Sequence, residues 1–303
     1  VITNSGRDLE PVYGDVFKIE NKNINKETIW EIQFSAQNPY GSQWPKEYGA
    51  RAINTDGQKL YGGWRTNAIA GQCNLKYVPS FWNYYDANGY DKRREWNLAD
   101  YVIDFDKTNN SPIAQKPMTE LSGKPQPGDN AKSVTNSGVT KYRWGATWKD
   151  EHTNFVYSNC PNNILVLRFA DVLLMHSELK GDATGLNRVR QRSHLAPISY
   201  TLDALKQERR WEFAFESIRW WDLLRWSGPS LEEAGNALNR QTGFEVINAA
   251  ALTPMVKYDY KKRLQQTQGY WPIPQIEIDR SNGVLEQNPG WGPDAQFSDW
   301  TKM

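Results

Sequence analysis

Residues 202–226 constrain this chain more than any other stretch. Trp211, Ala214, Phe215, Ile218 and Trp221 recur at helical spacing, and Phe213, Trp220, Leu223 and Leu224 widen the stripe until most sides are apolar. Thr201 is the expected N-cap, because a hydroxyl there accepts an otherwise orphaned backbone N–H. A helix greasy on most sides must be enclosed by other elements. Two helical patterns precede it: a mostly buried helix from Ile164 through Met175, ending near Gly181, and a short one over about 183–193 that brings Leu186, Val189 and Arg190 close together. Helices joined by such short connections read as hairpins, the unit of helical-repeat folds. One or two hairpins cannot close a core, so further repeats are expected beside them.

The rest of the chain is less regular. Residues 1–140 alternate short β-type runs, such as Thr28 to Phe34, with turn clusters such as Asn38-Pro39-Tyr40-Gly41. Residues 122–138, rich in Gly, Pro, Ser and Asn, are expected to form an exposed loop. The end is dense in proline and glycine: Tyr270-Trp271-Pro272-Ile273-Pro274, then Gln287-Asn288-Pro289-Gly290-Trp291-Gly292-Pro293. This segment is therefore expected to be neither regular helix nor central strand. It is expected to form an extended strap whose aromatics fill surface grooves.

Charge excludes some functions. With 36 basic and 35 acidic side chains, no overall field draws in nucleic acid or an anionic membrane. No stretch approaches the roughly 20 apolar residues of a membrane span. Val1 to Gly6 does not read as a signal peptide, so the chain is expected to be processed or part of a longer protein. Cys73 and Cys160 fit either one disulfide or two separate thiols, and His152, His176 and His194 form no metal-ligand pattern. Asp86-Ala87-Asn88-Gly89-Tyr90-Asp91 faintly resembles a calcium loop, but its spacing misses the EF-hand and an Asn-Gly turn explains it equally well. No nucleotide-binding glycine motif is present, and no metal or other cofactor is expected.

Two constellations remain. On the long helical stretch, Glu208, Arg209, Arg210, Glu212, Glu216, Arg219, Asp222 and Arg225 lie close to one another, and Arg188, Arg190 and Arg192 precede them. A catalytic reading makes the carboxylates an acid and a base. With arginine beside almost every one they should stay ionised, whereas a general acid needs a raised pKa. Buried or half-buried ion pairs locking one helix to the next are therefore expected. The other constellation is aromatic. The chain holds 14 Trp, 15 Tyr and 10 Phe despite its polar average, so some rings should lie at the surface. Between 44 and 96 the rings are interleaved with amides and arginines. Flat rings stack on the C–H faces of a pyranose while amides and guanidinium groups bond its hydroxyls. Trp44, Tyr48, Trp64, Arg65, Asn67, Trp82, Tyr84 and Tyr85 are the candidate glycan-binding residues, with Trp64 and the Trp82–Tyr85 cluster foremost.

Several stretches resemble the SusD/RagB family: Leu167 to Glu178, Leu186 to Arg192, Glu208 through Trp226, Trp271 to Pro274 and Gln287 to Trp291. Tyr13 to Phe34 and Asp91-Lys92-Arg93 resemble it more loosely. The resemblance implies a mainly α, SusD-like fold over 1–303, with tetratricopeptide-like helix pairs and a large loop-rich insertion carrying short strands. Within it, 1–160 would be loop-rich and ligand-facing, 161–228 the helical repeats and 229–303 a C-terminal wrap. It also implies a lipid-anchored protein on the outer face of the outer membrane. Such a protein binds glycan without cleaving it and delivers it to a SusC-like TonB-dependent transporter. Set against that pattern, the N-terminal helical half with its lipid-bearing cysteine is expected to fall outside this sequence, and the loop from Ser177 to Leu186 is shorter than the family's. Membrane contact would come only through that anchor, and no nucleic-acid partner is implied. The rival readings are a glycoside hydrolase, with Glu277 and Asp279 as nominal carboxylates, and a helical-repeat module that binds another protein.

Overall fold

The computed structural model describes residues 2–35, 37, 40–42, 91, 93–97, 161–240 and 259–292, and the backbone of the strands at 52–54, 101–106, 111–117, 245–248 and 251–254. The chain divides into two units, Val1–Glu216 and Ser217–Met303.

In the first unit, 3₁₀ turns at Tyr13–Val16 and Ile19–Asn21 lead to β1 (Thr28–Ile32). Next come β2 (Ala52–Asn54), the single turn α1 (Arg94–Asn97), β3 (Tyr101–Asp106) and β4 (Ser111–Pro117). β5 (Ile164–Arg168), α2 (Phe169–Lys180), α3 (Thr184–Arg192) and α4 (Leu202–Glu212) complete it. β1 pairs antiparallel with β5, whereas β3 lies between β2, to which it is parallel, and β4, to which it is antiparallel.

The helix expected from Ile164 starts five residues later. Ile164 to Arg168 is a strand, because β1 offers a free edge and a short apolar run carries no periodicity that would resist pairing. Its last residue, Arg168, is extended at φ −135°, and the first helical N–H, that of Phe169, is taken by the Glu27 carbonyl at 2.7 Å. α2 ends where expected. Gly181 is left-handed at φ 66° and donates its N–H to the Ser177 carbonyl.

α2 and α3 form the expected hairpin, and their approach is set by Gly185. A Cβ there would lie 2.1 Å from the Leu173 carbonyl oxygen, so only glycine admits the helix backbones this close. Ser177 Oγ accepts the Leu186 N–H across the same contact. α4 packs on both helices around Phe169, Leu173, Leu174, Leu186, Val189, Leu205 and Trp211, all buried. Gly185→Ala should destabilise by about 1–3 kcal/mol through overpacking, despite alanine's better helix propensity. Chemical denaturation checks this, and a stabilised variant would show that the contact does not constrain the pair.

The expected continuous helix over 202–226 is broken. Thr201 caps its start as expected, accepting the Ala204 N–H at 3.0 Å. At Glu212, however, the carbonyl that would bond the next helical turn accepts instead from Arg168 Nη2 at 2.8 Å and Tyr13 Oη at 3.0 Å. The Glu216 N–H turns to the Phe213 carbonyl, and Phe215 and Ser217 take left-handed φ values of 65° and 61°. Tertiary donors have overridden local propensity.

The second unit holds α5 (Arg219–Ser227), α6 (Glu232–Asn239), the hairpin of β6 (Glu245–Asn248) with β7 (Ala251–Pro254), α7 (Tyr260–Gln266) and α8 (Gln275–Arg280). Leu223, Leu231, Ala234 and Leu264 form its buried centre. The proline-rich end is the expected extended strap only in part, because α8 interrupts it: Pro274 ends the first proline run and stands at the helix N-cap, where a missing N–H costs nothing. Gln287 bonds both the N–H and the carbonyl of Ile273, Trp291 Nε1 donates to the Tyr270 carbonyl, and the Trp291 ring lies 4.3 Å from the Arg263 guanidinium. Trp271 departs from the expectation. Its ring is 72% exposed, while its carbonyl accepts from Asn288 Nδ2. Among the described residues no helix is long and apolar enough to cross a membrane.

Candidate functional site

Trp44, Tyr48, Trp64, Arg65, Asn67, Trp82, Tyr84 and Tyr85 all lie outside the described residues, as do Cys73 and Cys160. Large rings do reach the surface elsewhere: Trp30 is 61% exposed and Trp221 66%. Of the calcium-like loop only Asp91 is described, and its carboxylate is engaged by an arginine rather than open to a cation.

That arginine belongs to a buried ionic lattice at the heart of the first unit. Arg168, at the end of β5, donates Nε and Nη2 to the two oxygens of Glu216, at 2.9 and 3.0 Å. Its Nη1 reaches Glu27 at 2.6 Å and Glu212 at 2.5 Å. Arg192, from the last turn of α3, bonds the other oxygen of Glu27 and shares Glu212. Arg93 grips Asp91 through Nε and Nη2 and sends Nη1 to Glu208 at 2.6 Å and Glu212 at 3.0 Å. Arg190 closes on the second oxygen of Glu208. Phe213 stacks under Arg168 at 4.5 Å, and Arg192 lies 5.2 Å from the Tyr13 ring. The lattice thus joins the N-terminal segment, the turn at 91–97, β5, α3 and α4.

Burial alone would push the Glu212 carboxyl up and the arginines down. For Glu212 the nearby Arg192, Arg168 and Arg93 outweigh burial and hold the carboxyl well below the ordinary carboxylate range. Glu208, Asp91 and Glu212 likewise raise Arg93, while Glu216, Glu212 and Glu27 raise Arg168. A carboxyl so firmly ionised cannot serve as a general acid near neutral pH. The lattice is the ion-paired scaffold expected from the sequence, though it reaches further than helix to helix. Nothing local marked Glu27 or Tyr13 as members. Their role is visible only once β1 and β5 pair.

The nominal hydrolase carboxylates are set otherwise. Glu277 and Asp279 stand exposed on α8, Glu277 against Arg280 and Asp279 against Gln275. In the first unit a cavity of about 20 Å³, beside Lys22, Glu31 and Asn163, has room for about one water and none for a sugar ring. Among the described residues no group of His, Cys, Asp and Glu is arranged to hold a metal.

The model of the SusD family matches residues 26–291, and the chain belongs to that family. A SusD-like protein of Bacteroides ovatus is 27% identical over 252 residues, covering 80% of this chain and 41% of its own length. Surface glycan-binding protein A from Bacteroides thetaiotaomicron aligns at 25% identity with a TM-score of 0.62, over 95% of this chain and 57% of that one. A second structure of that protein, in complex with laminarihexaose, aligns equally well at 24% identity. The fold is therefore mainly α and SusD-like, and the chain spans about half the length of these relatives.

Proposed function

We propose that this chain binds glycan without cleaving it, as part of a lipid-anchored protein at the outer-membrane surface that passes the sugar to a SusC-like TonB-dependent transporter. The observation that carries the reading is the alignment of 95% of the chain, at 25% identity, with a surface glycan-binding protein. The ionic lattice supports the non-catalytic part, since Glu27, Glu208, Glu212 and Glu216 are each committed to arginine. In this proposal Trp64 and the Trp82–Tyr85 cluster stack on sugar rings, with Trp44 and Tyr48 beside them, while Arg65 and Asn67 bond hydroxyls.

Titration calorimetry against laminarihexaose and a panel of soluble polysaccharides, with reducing-end assays on the same mixtures, tests this. Binding without new reducing ends is expected, and Trp64→Ala and Trp82→Ala should each weaken it about 3- to 10-fold, the worth of one aromatic contact. New reducing ends would favour the hydrolase reading. Unchanged affinity in both variants would remove the aromatic platform.

A further inference from the structure

Between α8 and the second proline run the chain turns through Ser281, Asn282, Gly283 and Val284. Asn282 has φ 53° and Gly283 φ 84°, and the Val284 N–H reaches the Ser281 carbonyl at 3.3 Å. Left-handed values at both central residues favour Asn-Gly, since asparagine tolerates that region and glycine has no Cβ to clash. Among the described residues this is the one Asn-Gly pair. Both residues are exposed, and neither the Asn282 carboxamide nor the Gly283 N–H is held by a hydrogen bond. A Cβ on Gly283 would meet nothing within 4 Å, so the turn is open on that side. The Asn282 N–H bonds the Asp279 carbonyl, again at 3.3 Å. The ends of the turn are firmer. Ser281 Oγ donates to the Ile278 carbonyl at 2.7 Å and accepts the Leu285 N–H at 2.9 Å.

We propose that Asn282–Gly283 is a site of spontaneous covalent modification, at which asparagine converts to isoaspartate while the protein is folded. The Gly283 backbone nitrogen gives up its proton and attacks Asn282 Cγ, the carboxamide nitrogen leaves as ammonia, and a five-membered succinimide closes. Water then opens the ring. Attack at the main-chain carbonyl carbon leaves the chain running through Cβ and Cγ, which is isoaspartate, and attack at Cγ leaves ordinary aspartate. One water is consumed, one ammonia released and one negative charge gained, with no enzyme, oxidant or metal. Glycine assists because no side chain hinders its nitrogen or its rotation. The turn must open for that nitrogen to reach Cγ, and what resists is two long hydrogen bonds in an exposed loop, where opening costs little. Isoaspartate lengthens the main chain by one carbon inside a turn whose ends are held together. Just beyond it Gln287 bonds the N–H and carbonyl of Ile273, and Asn288 bonds the carbonyl of Trp271. Conversion therefore slackens this clasp on the first proline run.

The test incubates the full chain in warm, mildly alkaline buffer, folded and in parallel unfolded in guanidinium chloride. Peptides covering 275–292 are mapped by mass spectrometry, and isoaspartate is counted by enzymatic methylation. Folded Asn282 should convert at no less than about one tenth of the unfolded rate, because local opening of an exposed loop has a free energy near zero. Asn187, whose side chain bonds both the N–H and the carbonyl of Ile198, should stay unmodified in the folded chain. Hydrogen exchange at 270–274 should be faster in the aged chain. It should be unchanged in Asn282→Asp, which carries the same charge on an ordinary backbone. Protection of folded Asn282 well beyond tenfold overturns the site, and a product that is wholly ordinary aspartate overturns the backbone rearrangement. Equal exchange in the aged chain and in Asn282→Asp overturns the slackened clasp.

Discussion

Replacing Arg168 with methionine is expected to destabilise the protein by about 3–5 kcal/mol, enough to lower the melting temperature by roughly 5–15 °C. Methionine fills much of the same volume, so the loss is electrostatic rather than a cavity. What it removes is a guanidinium shared by three carboxylates, Glu27, Glu212 and Glu216, of which Glu27 and Glu212 keep Arg192. Breaking a buried pair costs more than the pair contributes, because the surviving charge stays out of water without compensation. The Glu212 carbonyl would also lose one of the two donors that close α4. Arg168→Lys should recover little, as one ammonium cannot reproduce a planar fork reaching three carboxylates. Moderate salt should not mask the effect, because screening is weak for buried charges. Thermal unfolding followed by circular dichroism is the measurement, and a change under 1 kcal/mol would show the lattice to be dispensable.

The sequence made the local elements readable and left the lattice half hidden. Helices α2 and α3, the Thr201 cap and the Gly181 stop follow from periodicity and capping chemistry, which act over a few residues. So does the placing of Glu208, Glu212 and Glu216 as ion-pairing rather than catalytic groups, because arginines stand close by in the chain. Two readings failed for one reason. Ile164 to Arg168 became a strand, and the helix over 202–226 broke after Glu212, because β1, Arg168 and Tyr13 supplied partners from far away in sequence. In the sequence Arg93 stands only within the short run Asp91-Lys92-Arg93, with no carboxylate partner marked for it on α4. That it reaches Glu208 depends on a turn more than a hundred residues upstream folding back onto α4, which no spacing encodes. The aromatic platform was read from residue type alone, and the rings assigned to it lie outside the described residues.

Acid should dismantle the same lattice, and the direction follows from Glu212. In the unfolded chain its carboxyl takes up a proton near its ordinary value of 4.5, whereas Arg192, Arg168 and Arg93 hold the folded-state value far below that. Between those two values the unfolded chain binds more protons than the folded one. The stabilisation from Glu212 is therefore complete above about pH 5 and is lost as pH falls, at up to about 1.4 kcal/mol per pH unit for this one group. Urea unfolding at pH 7, 5, 4 and 3 should give similar stability at the first two and a steep decline at the last two. Glu212→Gln separates this cause from general acid sensitivity. It should be markedly weaker than wild type at pH 7, since three arginines lose a shared counter-charge, yet fall less steeply below pH 4.5. Wild-type stability that is the same at pH 3 and pH 7, or an acid slope unchanged by Glu212→Gln, would refute the account. Because Arg93 hangs on the same carboxylate, the turn at 91–97 should lose exchange protection over this pH range together with the core, rather than before it.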